Sequence, residues 1–295
     1  MNDYEISCCS TVDLTPERMQ ERSLRYVCFR YQVGGVEYLD DMGAAMSSEE
    51  LFQKMADGAD TKTSQVGVEE YITHFESMLK AGKDIIHVTL STGLTGTYNS
   101  ACIAREELLD AYPDRKIYIV DSLGASSGYG LIMETMADLR DAGMGIDELY
   151  RWVESNKLRM HHWFFSTDLS FYVRGGRISK TAGTIGTVLG ICPLLNMDAQ
   201  GHLAPREKVR GKRNVIKRIV EKMETHAENG LDYSGKCYIC HSVCMEDARM
   251  VASMVEKQFP KLQGKVEIFP IGATIGSHTG PGTMALFFWG DKRQD

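Results

Sequence analysis

The chain lacks the features that carry a protein into or across a membrane. No uninterrupted apolar run approaches the roughly 18 residues that a membrane-spanning helix needs. The first ten residues, Met1 to Ser10, hold no basic region followed by an apolar stretch, so no signal peptide is visible. An excess of positive charge is also missing: 33 Lys and Arg face 40 Asp and Glu, a net charge of −7. That balance argues against broad binding to a nucleic-acid backbone and leaves room only for a local basic patch. Eight cysteines in 295 residues are a modest number, and without an export signal they are expected as reduced thiols. These absences predict a cytoplasmic location.

What is present is ordinary globular material, 43% hydrophobic and 25% charged, with ample chain for a buried core. Sixteen methionines suit core packing, and they also suit a cavity of adaptable shape. Short apolar runs alternate with longer helical patterns, the signature of βαβ construction. Strands are expected at Tyr4 to Cys8, Gly35 to Leu39, Asp84 to Leu90 and Lys116 to Val120. Val68 to Lys80 places Tyr71, Ile72, Phe75, Met78 and Leu79 on one helical face. Further helices are expected at about 98–111, 126–142 and 146–157, with Pro113 ending the first. After a strand at Met160 to Ser166 the rhythm changes. A Gly-rich basic stretch, RGGRISKTAGTIGTVLG, leads to a charged helix at Lys212 to His226 and a helix at Glu246 to Gln258. Strands are expected at Cys237 to Val243, Lys265 to Pro270 and Met284 to Trp289. The expectation is an α/β fold: an N-terminal βαβ domain with a mainly parallel sheet over 1–158, then an α+β domain over 159–295.

The most informative segment is Ser91-Thr92-Gly93-Leu94-Thr95-Gly96-Thr97, which follows a strand and opens a helix. Free backbone N–H groups and the helix dipole attract an anion there, and the hydroxyls add donors. Lysine is missing, so this is not the phosphate loop of nucleoside triphosphatases. Donors without a fixed cation suit a small oxyanion, a carboxylate or a single phosphate; the plain alternative is a hydroxyl-rich N-cap. A second cluster, GATIGSHTGPGT (272–283), can hold His278 at a cleft within a loop stiffened by Pro281.

Three other motifs carry less. Cys237-Tyr238-Ile239-Cys240-His241 fits the pattern for haem attachment, but within a strand its residues alternate between opposite faces, and no paired spacing for zinc is completed. Gly124-Ala125-Ser126-Ser127-Gly128 matches the nucleophile elbow of esterases, with His241 and His278 following in chain order. Arg206 to Arg218 holds seven basic residues and one acid, either a solvated helix face or a docking patch.

In order, Ser10-Thr11-Val12-Asp13-Leu14, Thr63-Ser64-Gln65, STGLTGTYNSA (91–101), VDSLGASSGYG (120–130), RGGRISK (174–180), KVRGKRN (208–214) and IGSHTGPGT (275–283) resemble the DegV family of bacterial fatty-acid-binding proteins. The likeness spans nearly the whole chain. It implies a two-domain protein that buries a long-chain fatty acid and presents its carboxylate to a separate fatty acid kinase, which makes an acyl phosphate for phospholipid synthesis. By motif, it implies that Thr63, Ser91, Thr92, Gly93 and His278 meet the carboxylate. Arg174, Arg177 and Arg210 are implied at the rim or at the partner-docking face. The resemblance implies no catalytic residue, no metal and no cofactor beyond the bound fatty acid. Two departures stand out: Cys9 takes the place of an Asp in the family's Asp-Ser-Thr, and Val66-Gly67 replace Pro-Ser after Thr63-Ser64-Gln65. Losing that Pro is expected to loosen the segment carrying Thr63. The alternatives are a serine esterase built on GASSG and a lipid-responsive regulatory protein that docks through its basic stretch.

Overall fold

A computed structural model describes residues 4–179 and 190–294. In chain order its strands are β1 (Tyr4–Cys9), β2 (Leu24–Val27), β3 (Arg30–Val33), β4 (Val36–Leu39), β5 (Thr61–Ser64), β6 (Asp84–Thr89), β7 (Ile117–Asp121), β8 (Met160–Ser166), β9 (Ile191–Met197), β10 (Leu203–Arg210), β11 (Cys237–His241), β12 (Val266–Pro270) and β13 (Thr283–Trp289). Its helices are α1 (Pro16–Glu21), α2 (Ser48–Ala56), α3 (Val68–Lys80), α4 (Thr97–Ala111), α5 (Ser126–Asp141), α6 (Ile146–Asn156), α7 (Ser170–Arg174), α8 (Lys212–His226), α9 (Met245–Gln258) and α10 (Ala273–Thr279).

The fold is α/β. The first sheet runs β2-β1-β6-β7 with every pair parallel. Parallel strands need cover on both faces. Ile85, Ile117 and Ile119 accordingly pack with Tyr71 and Phe75 of α3 and Ala101 and Ala104 of α4, while Ile86, Val88 and Val120 pack with Leu131 and Met136 of α5. The second sheet runs β10-β9-β8-β13-β11-β12, antiparallel except for the β11–β12 pair. Its strands alternate cleanly. Trp163, Phe165, Ile239, Leu286 and Phe288 face α8 and α9, whereas Phe164, Cys240, Ala285 and Phe287 face α5 and the first sheet.

Helix α5 is therefore held between the two sheets, which explains its burial on nearly every side. Gly128 makes the close approach possible: a Cβ there would lie 2.5 Å from His162 Nε2 and from the Phe287 ring. A third, small antiparallel sheet, β4-β3-β5, sets β5 against α10.

Long periodic elements match the sequence expectations within a residue or two, including α3 and α8. Three differences matter. The 272–283 segment, expected as a loop, carries the short helix α10. The basic stretch is not one helix face; it divides at Gly211 into β10 and α8. Strands β9 and β10 were not anticipated, because β10 (LAPREKVR) is a polar edge strand with a bulge at Pro205/Glu207 and shows no apolar alternation. Residues 180–189 of the Gly-rich stretch lie outside the described residues.

Candidate functional site

A cavity of about 370 Å³ lies between the sheets. Apolar walls come from Phe164 of β8, Met197 of β9, Ala285 and Phe287 of β13, and Leu90, Ile271 and Ile275 from the surrounding turns and α10. Among the described residues Met197 is the one methionine on the lining, so the methionines serve mainly as core packing. The volume falls in the range of small-molecule sites.

One end of the cavity is polar. Pairing with β3 holds β5 extended, and alternation turns Thr61 and Thr63 towards α10. Thr61 donates to the Ser277 carbonyl at 3.1 Å, and Thr63 Oγ1 lies 2.7 Å from His278 Nε2. In place of the Pro-Ser pair, Val66 is buried, and Gly67 N donates to Glu70 Oε2 at 2.8 Å as α3 begins. Burial, aided by the charge of Arg177, pushes His278 down to about 4, so its imidazole is neutral at pH 7. Among the described residues His278 Nδ1 and the buried hydroxyl of Thr279 have no hydrogen-bond partner, and both residues border the cavity. Buried polar groups are seldom left this way.

Arg177 reaches the same end. Its guanidinium donates to the carbonyls of Gly175 and Leu94, the latter at 3.1 Å. Burial alone disfavours its charge, and among the described residues no carboxylate pairs with it. The polar end thus combines one desolvated cation with neutral donors, which suits a single anionic group. Arg174 is exposed and lies over the Phe171 ring at 4.9 Å, away from the lining.

The Ser91–Thr97 turn meets the cavity differently from expectation. Ser91 Oγ donates to the Gly201 carbonyl at 2.8 Å and accepts from Gly93 N at 3.1 Å. Thr92 Oγ1 and N both bond the Asp121 carboxylate, at 2.5 and 3.2 Å. These donors fasten the turn to the β9–β10 hairpin and to the end of β7, and Ser91, Thr92 and Gly93 do not border the cavity. Leu94 and Thr95 border it instead, with Gln65, whose Oε1 accepts from Thr95 Oγ1 and from Gly96 N. Hydroxyl spacing could not separate Thr95 from Ser91, because only the position of the hairpin decides which hydroxyl is held off the cavity.

Gly93 is required at that contact, since a Cβ would lie 2.5 Å from the Gly201 carbonyl oxygen. Gly93→Ala is expected to lower unfolding stability by about 1–3 kcal/mol, as overpacking against backbone does. Urea melts read this directly; an unchanged midpoint would mean that the hairpin does not seat there.

Cys9 is buried in the core, its Sγ 3.3 Å from Tyr71 Oη, and does not border the cavity. The elbow-like GASSG does open α5, and Ser126 stands at φ +56°. Its hydroxyl, however, bonds the Asp13 carboxyl and lies 3.1 Å from Cys240 Sγ, with no histidine hydrogen-bonded to it. The nearby His162 is committed on both nitrogens, to Ala125 N and to the Met160 carbonyl. No histidine is therefore in position to act as a base for Ser126.

Cys237 and Cys240 pack into different cores on opposite faces of β11, so they cannot grip one haem or one metal together. Among the described residues His161, His226 and Asp291 do gather three ligand atoms within 4.8 Å. The two imidazole planes lie stacked, 23° apart, and both rings hydrogen-bond Asp291, which ties the end of the chain to β8 and α8. Arg210 is exposed at the end of edge strand β10 and forms no ion pair among the described residues, whereas Lys212 pairs with Asp247 and Arg218 with Glu207. No described helix is long and apolar enough to cross a membrane.

Residues 6–291 match the family model described as "Uncharacterised protein, DegV family". A DegV domain-containing protein of Clostridium perfringens is 36% identical over 294 residues, covering all of both chains. A DegV-family protein of Ruminococcus gnavus, solved with vaccenic acid, superposes with a TM-score of 0.85 at 26% identity, over 97% of this chain and all of that one. The Fatty Acid Kinase (Fak) B3 protein of Streptococcus pneumoniae, loaded with linoleic acid, gives 0.84 at 22% identity, over 99% of this chain and all of that one. With a family model spanning nearly the whole chain and a full-length relative above 30% identity, this protein belongs to the DegV family.

Proposed function

We propose that the protein is a non-catalytic carrier of a long-chain fatty acid. The observation that carries this reading is the cavity itself, apolar along its walls, with Arg177, His278, Thr63 and Thr95 at one end. Burying a tail contributes about 0.8 kcal/mol per methylene, so a palmitoyl chain could gain on the order of 10 kcal/mol at the upper bound. The polar end then selects a carboxylate, because leaving its donors unpaired in a closed site is costly. Relatives solved with vaccenic and linoleic acids support the choice of ligand. The carboxylate set is revised from the motif-based one: Thr63 and His278 stay, Thr95 and Arg177 join, and Ser91, Thr92 and Gly93 shape the turn. In this reading the chain divides near residue 158 into two domains, with the ligand between their sheets.

The finer reading is that the bound acid is presented to a fatty acid kinase, with the likeness to the Streptococcus pneumoniae protein in support. Arg174 at the rim and Arg210 on the edge strand are then the docking cations. Neither a nucleophile nor a metal enters this scheme. Organic extraction of freshly purified protein, followed by mass spectrometry, is expected to release near-stoichiometric long-chain fatty acid. Protein that carries none, and that ignores added oleate and palmitate, would refute the carrier. Charge reversal at Arg210 is expected to slow acyl-phosphate formation by a kinase while leaving fatty-acid affinity unchanged.

A further inference from the structure

The polar end of the cavity depends on a residue that does not border it. Gly175 ends helix α7 and lies against the imidazole of His278. A Cβ on Gly175 would collide with His278 Nδ1 and stand 3.3 Å from the Cγ of that ring. Carbon and nitrogen atoms that are not bonded settle about 3.5–4.0 Å apart, so no side chain fits there unless the ring moves. The other ring nitrogen, Nε2, is the one that lies 2.7 Å from Thr63 Oγ1.

The notch at Gly175 comes from the way α7 meets α10. Gly175 N donates to the Phe171 carbonyl at 2.9 Å, which closes α7. In return the Phe171 ring occupies the space of the missing side chain at Gly280, which ends α10. Each helix thus offers a bare glycine to a ring of the other, and the two contacts fix how α7 and α10 sit together. Backbone freedom is not what Gly175 supplies: its φ of −73° and ψ of −6° are right-handed helical values open to any residue. The next glycine in the RGGR motif is the opposite case. Gly176 stands at φ +72°, and a Cβ there would meet nothing within 4 Å. Of the two glycines, Gly175 is the one whose lack of a side chain is used.

We propose that Gly175 is a positioning residue of the carboxylate site, and that the imidazole of His278 stands at Thr63 because the place behind it holds no side chain. This rests on the fatty-acid reading of the cavity and deepens it.

Titration calorimetry on delipidated protein compares palmitic acid with hexadecanol, which has no carboxylate. Gly175→Ala adds a methyl group without backbone strain. It is expected to weaken palmitic acid about 10-fold, the worth of one hydrogen bond to a charged group, and hexadecanol by less than about 3-fold. In a His278→Ala background the ring is gone, and adding Gly175→Ala is expected to change palmitic acid affinity by less than about 2-fold. Long-range proton–nitrogen NMR spectra of the ligand-free protein give a readout that needs no fatty acid. The His278 ring signals, identified by their loss in His278→Ala, are expected to shift in Gly175→Ala. Should Gly175→Ala alone not fold, a double variant that melts with His278→Ala supports the contact, and loss of fold in both overturns it. Equal losses for acid and alcohol, an undiminished effect in the His278→Ala background, or unmoved ring signals would overturn the positioning role while leaving the carrier intact. Failure of the wild-type protein to bind palmitic acid would overturn the carrier, whereas the ring signals bear on Gly175 alone.

Discussion

Replacing Arg177 with leucine is expected to weaken binding of a long-chain fatty acid on the order of 10–100-fold. Hydrogen bonds to a charged group contribute about 1.5–3 kcal/mol, and each 1.4 kcal/mol is a factor of ten. His278 cannot supply the missing charge, because burial keeps its imidazole neutral at pH 7. Arg177 also bonds the Leu94 carbonyl, so the variant could act by releasing the turn rather than by removing the cation. A fatty alcohol of the same length separates the two: it lacks the carboxylate, and its affinity is expected to stay within about 3-fold, a small fraction of the acid's loss. Arg174→Leu serves as the matched surface change, since that side chain is exposed and off the cavity lining, and it is expected to leave fatty-acid affinity unchanged. Equal losses for acid and alcohol would remove Arg177 from the carboxylate set. Binding is measured by titration of delipidated protein.

Acid is expected to unfold this protein early, with stability falling steeply as the pH drops from about 6.5 towards 4. Burial holds His74, His161 and His278 down to about 4 and drives His87 and His162 lower still. In the unfolded chain all five titrate near 6.5. Between those values the unfolded chain binds more protons, so this contribution is complete above pH 6.5 and is lost as the pH falls. A displacement from 6.5 to about 4 corresponds to about 3 kcal/mol per histidine as an upper figure. Asp13 works in the opposite sense. Raised from 3.8 to about 8, it favours the folded state most at low pH, and that share is lost as the pH rises through 8. Asp40 shifts in the same direction, also through burial.

Thermal melts between pH 4 and 8 are expected to show the acid-side collapse. Asp13→Asn is expected to gain in Tm relative to wild type as the pH rises from 5 to 8. Parallel Tm curves for the two proteins would mean that Asp13 is not held protonated.

Much of the architecture was legible because the strands of the first sheet and their covering helices are long and periodic. DIIHVT reads as a buried strand, and the face of Tyr71, Phe75 and Met78 reads as a helix, for reasons local to each segment. The ordered motifs also singled out two residues that the fold brings together: Thr63 and His278, 215 residues apart, meet at 2.7 Å at the polar end of the cavity. Strand β10 escaped notice because an edge strand with one solvated side needs no apolar alternation. Helix α10 escaped because its glycines imitate a loop, although three of them serve close packing and capping at its start, middle and end.

Sequence alone determined the class of fold, the family and the kind of chemistry, since composition, periodicity and motif order are properties of the chain read in line. Tertiary structure decided which hydroxyls border the cavity. Ser91 and Thr95 are equivalent hydroxyls four residues apart until the Gly201 carbonyl arrives from the other sheet and holds the first off the cavity, while the second, bonded to Gln65, stays on its lining. Asp13 and Arg177 are ordinary charged residues until burial disfavours both charges, leaving the acid protonated and the cation with no carboxylate partner among the described residues. Desolvation depends on what packs around a group from distant parts of the chain, and no local pattern encodes it.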